Sequence, residues 1–247
     1  MSRRSSSLVA AGILFSRLSG FVRQRAVNHF FGLSPVADAF AAAFRIPNLM
    51  QNLLGEGVLS ASFIPVYARL LEEERDEDAG RVAGAVLGLL TLTAGVITLL
   101  ALVFAEPLTT VLALGISGAR RDLTVSLVRI ITPGVGFLVV SAWCLGILNS
   151  HRRFFLSYVA PVLWNVVQIG AVVTAGVLVL DTPLQPDGAT TDQLESIVTA
   201  LGWGTVVGAL AQLLVQVPSG CSGVSRTSTP AVTTAPICTT FHRTGAT

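Results

Sequence analysis

Long apolar stretches dominate the order of residues along the chain. Residues 82–104, 130–148, 154–180 and 197–217 contain no Asp, Glu or Arg. Each approaches or exceeds the length of about 20 residues that carries an α-helix across a hydrocarbon core. The chain before them is less clean. Residues 8–31 and 35–67 are also long and apolar, yet they hold Arg17, Arg23, Arg25, Asp38, Arg45 and Glu56, with helix breakers at Gly20, Pro47, Gly55 and Gly57. The pattern predicts an all-α polytopic membrane bundle of about six spanning helices. The first two spans must be lined by protein or water wherever their charges fall.

Small residues one turn apart, Gly84 with Gly88 and Gly204 with Gly208, predict faces where helix backbones approach closely. From residue 218 the character changes. The last stretch is rich in Ser and Thr, has no acidic residue and shows no apolar period. The expected organisation is therefore a membrane domain over 1–217 and a disordered, low-complexity tail over 218–247. The abruptness of the change fits a frameshift or a misplaced gene end.

Composition agrees with a bilayer as solvent. Of 247 residues, 52% are hydrophobic and 12% charged, and the mean hydropathy is +0.71. Soluble domains carry roughly twice that charge. A net charge of +2 gives no footprint for nucleic acid. Cys144, Cys221 and Cys238 form no CxxC pair, and His29, His151 and His242 are scattered, so no metal site or cofactor is expected. Cys144 lies in an apolar run and reads as a packing residue. The N-terminus has the basic start of a signal peptide, but Arg17 breaks its apolar core and no cleavage site precedes it, so a retained first helix is expected.

The loops predict orientation. Arg3, Arg4, Arg69, Arg75, Arg81, Arg152 and Arg153 fall on one side if the spans alternate, and Arg120 and Arg121 on the other. This asymmetry places the N-terminus in the cytoplasm. The run of acids and Arg75 over 72–78 reads as a solvated connector.

The six intramembrane charges carry the candidate chemistry. Facing lipid, each would cost about 2.5–3.5 kcal/mol, and all six roughly 15–20 kcal/mol, as much as a domain's whole stability. A polar cavity is the better account. Arg17 and Arg25, eight apart, share roughly one helical face, and Asp38 and Arg45, seven apart, share another; Arg23 lies off the face of Arg17. Four positive charges against two negative suit an anion, and arginine's fork suits phosphate. The competing account is that these charges neutralise one another and only brace the bundle. No HExxH, GxSxG or acidic metal pair points to an enzyme.

These residues also carry a family likeness. The run from Phe15 to Leu71, "FSRLSGFVRQRAVNHFFGLSPVADAFAAAFRIPNLMQNLLGEGVLSASFIPVYARLL", resembles the N-terminal signature of the MurJ (MviN) lipid II flippases, in the multidrug/oligosaccharidyl-lipid/polysaccharide exporter superfamily. The stretch "LGILNSHRRFFLSYVAPVLWNVVQI" resembles the same family's fourth-to-fifth helix region. The likeness covers residues 8 to about 217. It implies a transporter of lipid-linked peptidoglycan precursor in the bacterial cytoplasmic membrane, working by alternating access and not an enzyme. The implied partners are lipid II (an undecaprenyl-diphosphate-linked disaccharide peptide), membrane lipids and a C-terminal lobe; nucleic acid is not among them.

By the same resemblance Arg17 and Arg23 match the family's substrate-facing arginines, Asp38 its acidic residue early in the second helix, and Glu56 the glutamate of its "EG" motif. One departure is clear. Gln51 and Asn52 stand where the family often has an arginine pair, so a diphosphate contact there is neutral or supplied by Arg45. A second departure is length, because family members have about fourteen spans in two lobes and this chain shows six. The alternatives are an exporter of another polysaccharide-linked lipid and a nonfunctional fragment.

Overall fold

The computed structural model describes residues 3–57, 59–113, 115–151, 154–180 and 188–227. Among them every regular element is helical. Helix α1 (Arg3–Phe31) runs unbroken through Gly20, one of the residues read as helix breakers. The chain then turns at Gly32, whose φ of 51° lies in the left-handed region that glycine tolerates. Helix α2 (Pro35–Ala43) starts at a conventional cap: Ser34 Oγ accepts from the Ala37 amide, and Pro35 needs no partner in the first turn.

The second predicted span is a chain of short pieces. Helix α3 (Arg45–Met50) leads into two π-helical stretches, Gln51–Gly57 and Leu59–Phe63, and then α4 (Ile64–Glu72). Pro47 and Pro65 each lack an amide donor, and Gly55 and Gly57 hold the backbone only loosely to α geometry. The wide turns pack on protein: a Cβ added at Gly55 would lie 3.4 Å from Ala142 Cβ. Irregular backbone at membrane depth is tolerated in that setting.

The connector before α5 is exposed and self-satisfied. Arg69 pairs with Glu73 at 2.7 Å and Arg75 with Asp78 at 2.9 Å. Helix α5 (Asp76–Val103) opens on Asp76, Glu77 and Asp78, which favour the positive end of its dipole. A short α6 (Ala105–Leu112) leads to α7 (Ala119–Ser150), which starts well before the expected residue 130. Helix α8 (Phe154–Val179) matches its predicted range. Helix α9 (Thr191–Thr227) runs past the expected boundary at 217, through Pro218. A proline removes one hydrogen bond from a helix and need not end it. The first part of the expected tail is therefore helix, and residues 228–247 lie outside the described residues.

Among the described residues, four helices are long and apolar enough to cross a membrane: Asp76–Val103, Ala119–Ser150, Val159–Val179 and Thr191–Pro218. They correspond to the four charge-free stretches, three of them extended by charged ends. Helix α7 is central. In its most apolar window 67% is buried inside the protein, against 22% for α5 and for α8. Helix α5 instead exposes Leu89, Leu92, Leu99 and Val103, a surface suited to lipid. Cys144 is buried in the core, as expected of a packing residue.

The two glycine pairs behave differently. Cβ atoms at Gly204 and Gly208 would collide with Ala171 and Trp164, so α9 lies directly on α8. Gly84 and Gly88 meet nothing within 4 Å, which corrects the expectation of a close approach there. On α5 the neighbouring face supplies the contacts, with Ala83, Leu87 and Leu90 buried, while Gly84 is half-buried and Gly88 exposed.

Candidate functional site

Depth within the bundle can be read from how α1 lies on α8. Asn165 Nδ2 donates to Ser19 Oγ at 3.0 Å, and Phe30 packs against Gly176. Both contacts pair residues 146 apart, so the helices run parallel in a fixed register. That register sets Arg17, Arg23 and Arg25 level with Leu163, Ile169 and Ala171, the middle of α8. Arg23 and Arg25 are thus level with the middle of the apolar Val159–Val179 stretch, and Arg17 lies nearer its start.

Their surroundings differ. Arg17 and Arg25 are exposed on the side of α1 away from α8, together with Leu14, Leu18, Phe21 and Val22. Arg23 is half-buried and turns toward α8, its Cζ 5.1 Å from the centre of the Trp164 indole. Side chains on a helix lean toward its N-terminus, so Arg23 reaches a ring below its own Cα level. Among the described residues, none of the three arginines forms an ion pair with an acid.

Asp38 lies elsewhere. Its carboxylate is 3.6 Å from Arg120, joining the start of α2 to the start of α7. Arg129 and Glu106 pair at 3.2 Å between α7 and α6. At the opposite end of α7, the Tyr67 hydroxyl meets His151 Nε2 at 3.0 Å. These contacts confirm that successive spans alternate in direction. They also put Arg129, left out of the sequence count, nearer the end that holds Arg120 and Arg121.

The structure thus brings Arg23 into a packed seam and leaves Arg17 on an open face, while Asp38 goes to one end of the bundle. Asp38 is paired with Arg120, so the mutual neutralisation weighed from sequence does not link it to Arg17 or Arg23. Arg45 begins α3 with an exposed side chain, and Gln51, half-buried, begins the first π-helical stretch. Glu56 lies within that stretch, and its side chain is outside the described residues.

Sequence reading missed the polar seam between α1, α8 and α9. Trp164 Nε1 donates to the Thr205 carbonyl at 3.2 Å, and Gln168 Nε2 donates to Thr205 Oγ1 at 3.2 Å. A second buried cluster joins α7 to α9, where Gln212 Nε2 donates to Ser141 Oγ and Ser141 Oγ to Gln216 Oε1. The available signal was spacing: Asn165 with Gln168, and Gln212 with Gln216, are polar residues one turn apart inside apolar spans.

A family model described as "Lipid II flippase MurJ" matches residues 27–229. The chain belongs to the MurJ lipid II flippase family. It is 40% identical over 167 residues to a "Probable lipid II flippase MurJ" of Bdellovibrio bacteriovorus, covering 66% of this chain and 32% of that protein. It is 30% identical over 217 residues to the "Lipid II flippase MurJ" of Burkholderia cenocepacia, covering 87% of this chain and 39% of that one. A solved structure, "Lipid II flippase MurJ, inward closed conformation", superposes with a TM-score of 0.63 at 21% identity, covering 89% of this chain and 46% of its own. That likeness establishes a MurJ-type helical fold. The chain spans about a third of the length of the curated relatives it matches.

Proposed function

We propose that this chain supplies one lobe of a lipid II flippase, and that Arg17 and Arg23 hold the diphosphate of the substrate at mid-membrane. The observation that carries this reading is the set of three arginines of α1, level with the apolar Val159–Val179 stretch of α8 and with no acidic partner among the described residues. Cations left unneutralised at that depth are costly, and are kept where an anion or a wet cavity receives them. A guanidinium offers two parallel donors to a phosphate, and a diphosphate presents several acceptor oxygens. The lipid tail would remain in the bilayer beside the exposed face of α1.

The remaining residues take supporting parts. Asp38, paired with Arg120, fits closure of one end of the cavity. Arg45, Gln51 and Glu56 belong to the broken second span, where irregular backbone can line a polar path. Gln51 and Asn52 provide neutral hydrogen-bonding groups in place of an arginine pair. Transport of this kind breaks no covalent bond, so the protein is a transporter and not an enzyme. We place it in the bacterial cytoplasmic membrane with its N-terminus in the cytoplasm, on the arginine asymmetry of its loops. Alternating access needs two lobes closing on opposite sides of one site, so the partner of this lobe is a second one.

The test is reconstitution. The 247-residue chain in liposomes is expected to bind lipid II without translocating it. Binding should fall at least tenfold in Arg17→Gln and in Arg23→Gln, a loss of about 1.4 kcal/mol or more. Unchanged binding in the double variant would overturn the diphosphate assignment. Translocation by the unpartnered chain would overturn the need for a second lobe.

A further inference from the structure

An arginine at mid-span needs something to hold it, and what holds it decides whether it can still bind an anion. A carboxylate would neutralise Arg23 and occupy the donors that a phosphate requires. An aromatic face attracts the cation without taking its charge or its edge N–H groups. The Arg23 Cζ lies 5.1 Å from the centre of the Trp164 ring, within the range of about 6 Å for that attraction.

The indole is itself fixed. Its Nε1–H donates to the Thr205 carbonyl of α9 at 3.2 Å. Gly208, one turn further along α9, leaves room for it, since a Cβ there would come within 2.8 Å of Trp164 Cδ1. On the neighbouring residue, the Asn165 amide donates to Ser19 Oγ at 3.0 Å. Ser19 and Arg23 are four apart and share a face of α1. Two adjacent residues of α8 thus meet two residues on one face of α1, one contact setting the register and the other receiving the charge.

We propose that Trp164 is a positioning residue that holds the Arg23 guanidinium ready for the substrate's diphosphate. This rests on the diphosphate-binding reading above. Trp164 does not touch the diphosphate. It removes rotamer freedom that a long side chain would otherwise lose on binding, and it keeps Arg23 charged and open at its edge. Because the ring is anchored on α9, a movement of α9 against α8 would also move the arginine.

The experiment titrates the 247-residue chain, in detergent micelles, with undecaprenyl diphosphate. Trp164→Leu is expected to weaken binding about tenfold and Trp164→Phe, which keeps an aromatic face, at most about threefold. In an Arg23→Gln background, Trp164→Leu should cause no further loss. A purely packing role predicts the same loss in both backgrounds, and that result would overturn the proposal, as would normal binding by Trp164→Leu. Thermal unfolding of each variant checks that the bundle remains folded. Normal binding by Arg23→Gln, or no binding by the parent chain, would remove the diphosphate reading and this proposal with it. Weakened binding by Arg23→Gln beside normal binding by Trp164→Leu would remove only this proposal.

Discussion

Asp38 and Arg120 meet at 3.6 Å with side chains 64% and 39% exposed, so solvent weakens their attraction. Asp38→Asn is expected to change stability by less than about 1 kcal/mol. With a second lobe supplied, a transport defect at an unchanged unfolding temperature would then assign the carboxylate to the transport cycle. A loss above about 2 kcal/mol would make it a structural brace. Glu73 offers a pH test. Its hydrogen bond from Arg69, and then that from Arg75, hold the carboxyl below its ordinary value of 4.5. A carboxyl lowered on folding stabilises above its ordinary value, and that contribution is lost as pH falls through the lowered one. Amide exchange in the turn between α4 and α5, corrected for its intrinsic rate, should stay level from neutral pH to about 4.5 and quicken below. A level profile down to about pH 3 would show that the pair does not hold the turn. The charges of this connector were legible in the sequence because each partner lies within four residues. The Arg23–Trp164 contact was not, because only the fold brings those two residues together.

The four charge-free spans were readable because length and the absence of charge suffice to identify a membrane helix. The broken second span was readable in part: Pro47, Gly55 and Gly57 marked where regular geometry fails, though not that π-helical turns would replace it. The start of α7 was missed because Arg120, Arg121 and Asp122 look like loop. The helix simply extends beyond the apolar zone, with Asp122 in its first turn. Glycine spacing was the weakest guide, since identical pairs on α5 and α9 face opposite kinds of surroundings. Gly204→Leu should therefore cost about 1–3 kcal/mol or more through overpacking against α8. Gly84→Leu should stay within about 0.5 kcal/mol. Chemical unfolding in detergent measures both, and equal costs would show that α9 does not lie on α8 as described.

For the whole molecule, the alternation of spans separates two sets of ends. Asp76 and Thr190 lie at opposite ends of the bundle, and both are exposed. With Cys144, Cys221 and Cys238 replaced by Ser, a cysteine at position 190 should react with an impermeant thiol reagent on intact cells, and one at position 76 only after lysis. The reverse pattern would invert the orientation. The face of α1 that carries Arg17, Arg25 and Phe21 has no covering helix among the described residues.

The parallel seating of α1 on α8 has a consequence for biogenesis. Arg23 leaves the ribosome roughly 140 residues before Trp164, an interval of about 7–30 s at ordinary synthesis rates. Throughout that time the first helix, with its three arginines, has no α8 to lie on. It must be retained near the insertion machinery or by a chaperone in the membrane. Nascent chains stalled just after residue 153 should therefore crosslink through α1 to an insertase, whereas chains stalled after α9 should not. Equal crosslinking at both lengths would show that α1 is stable in lipid without its partner.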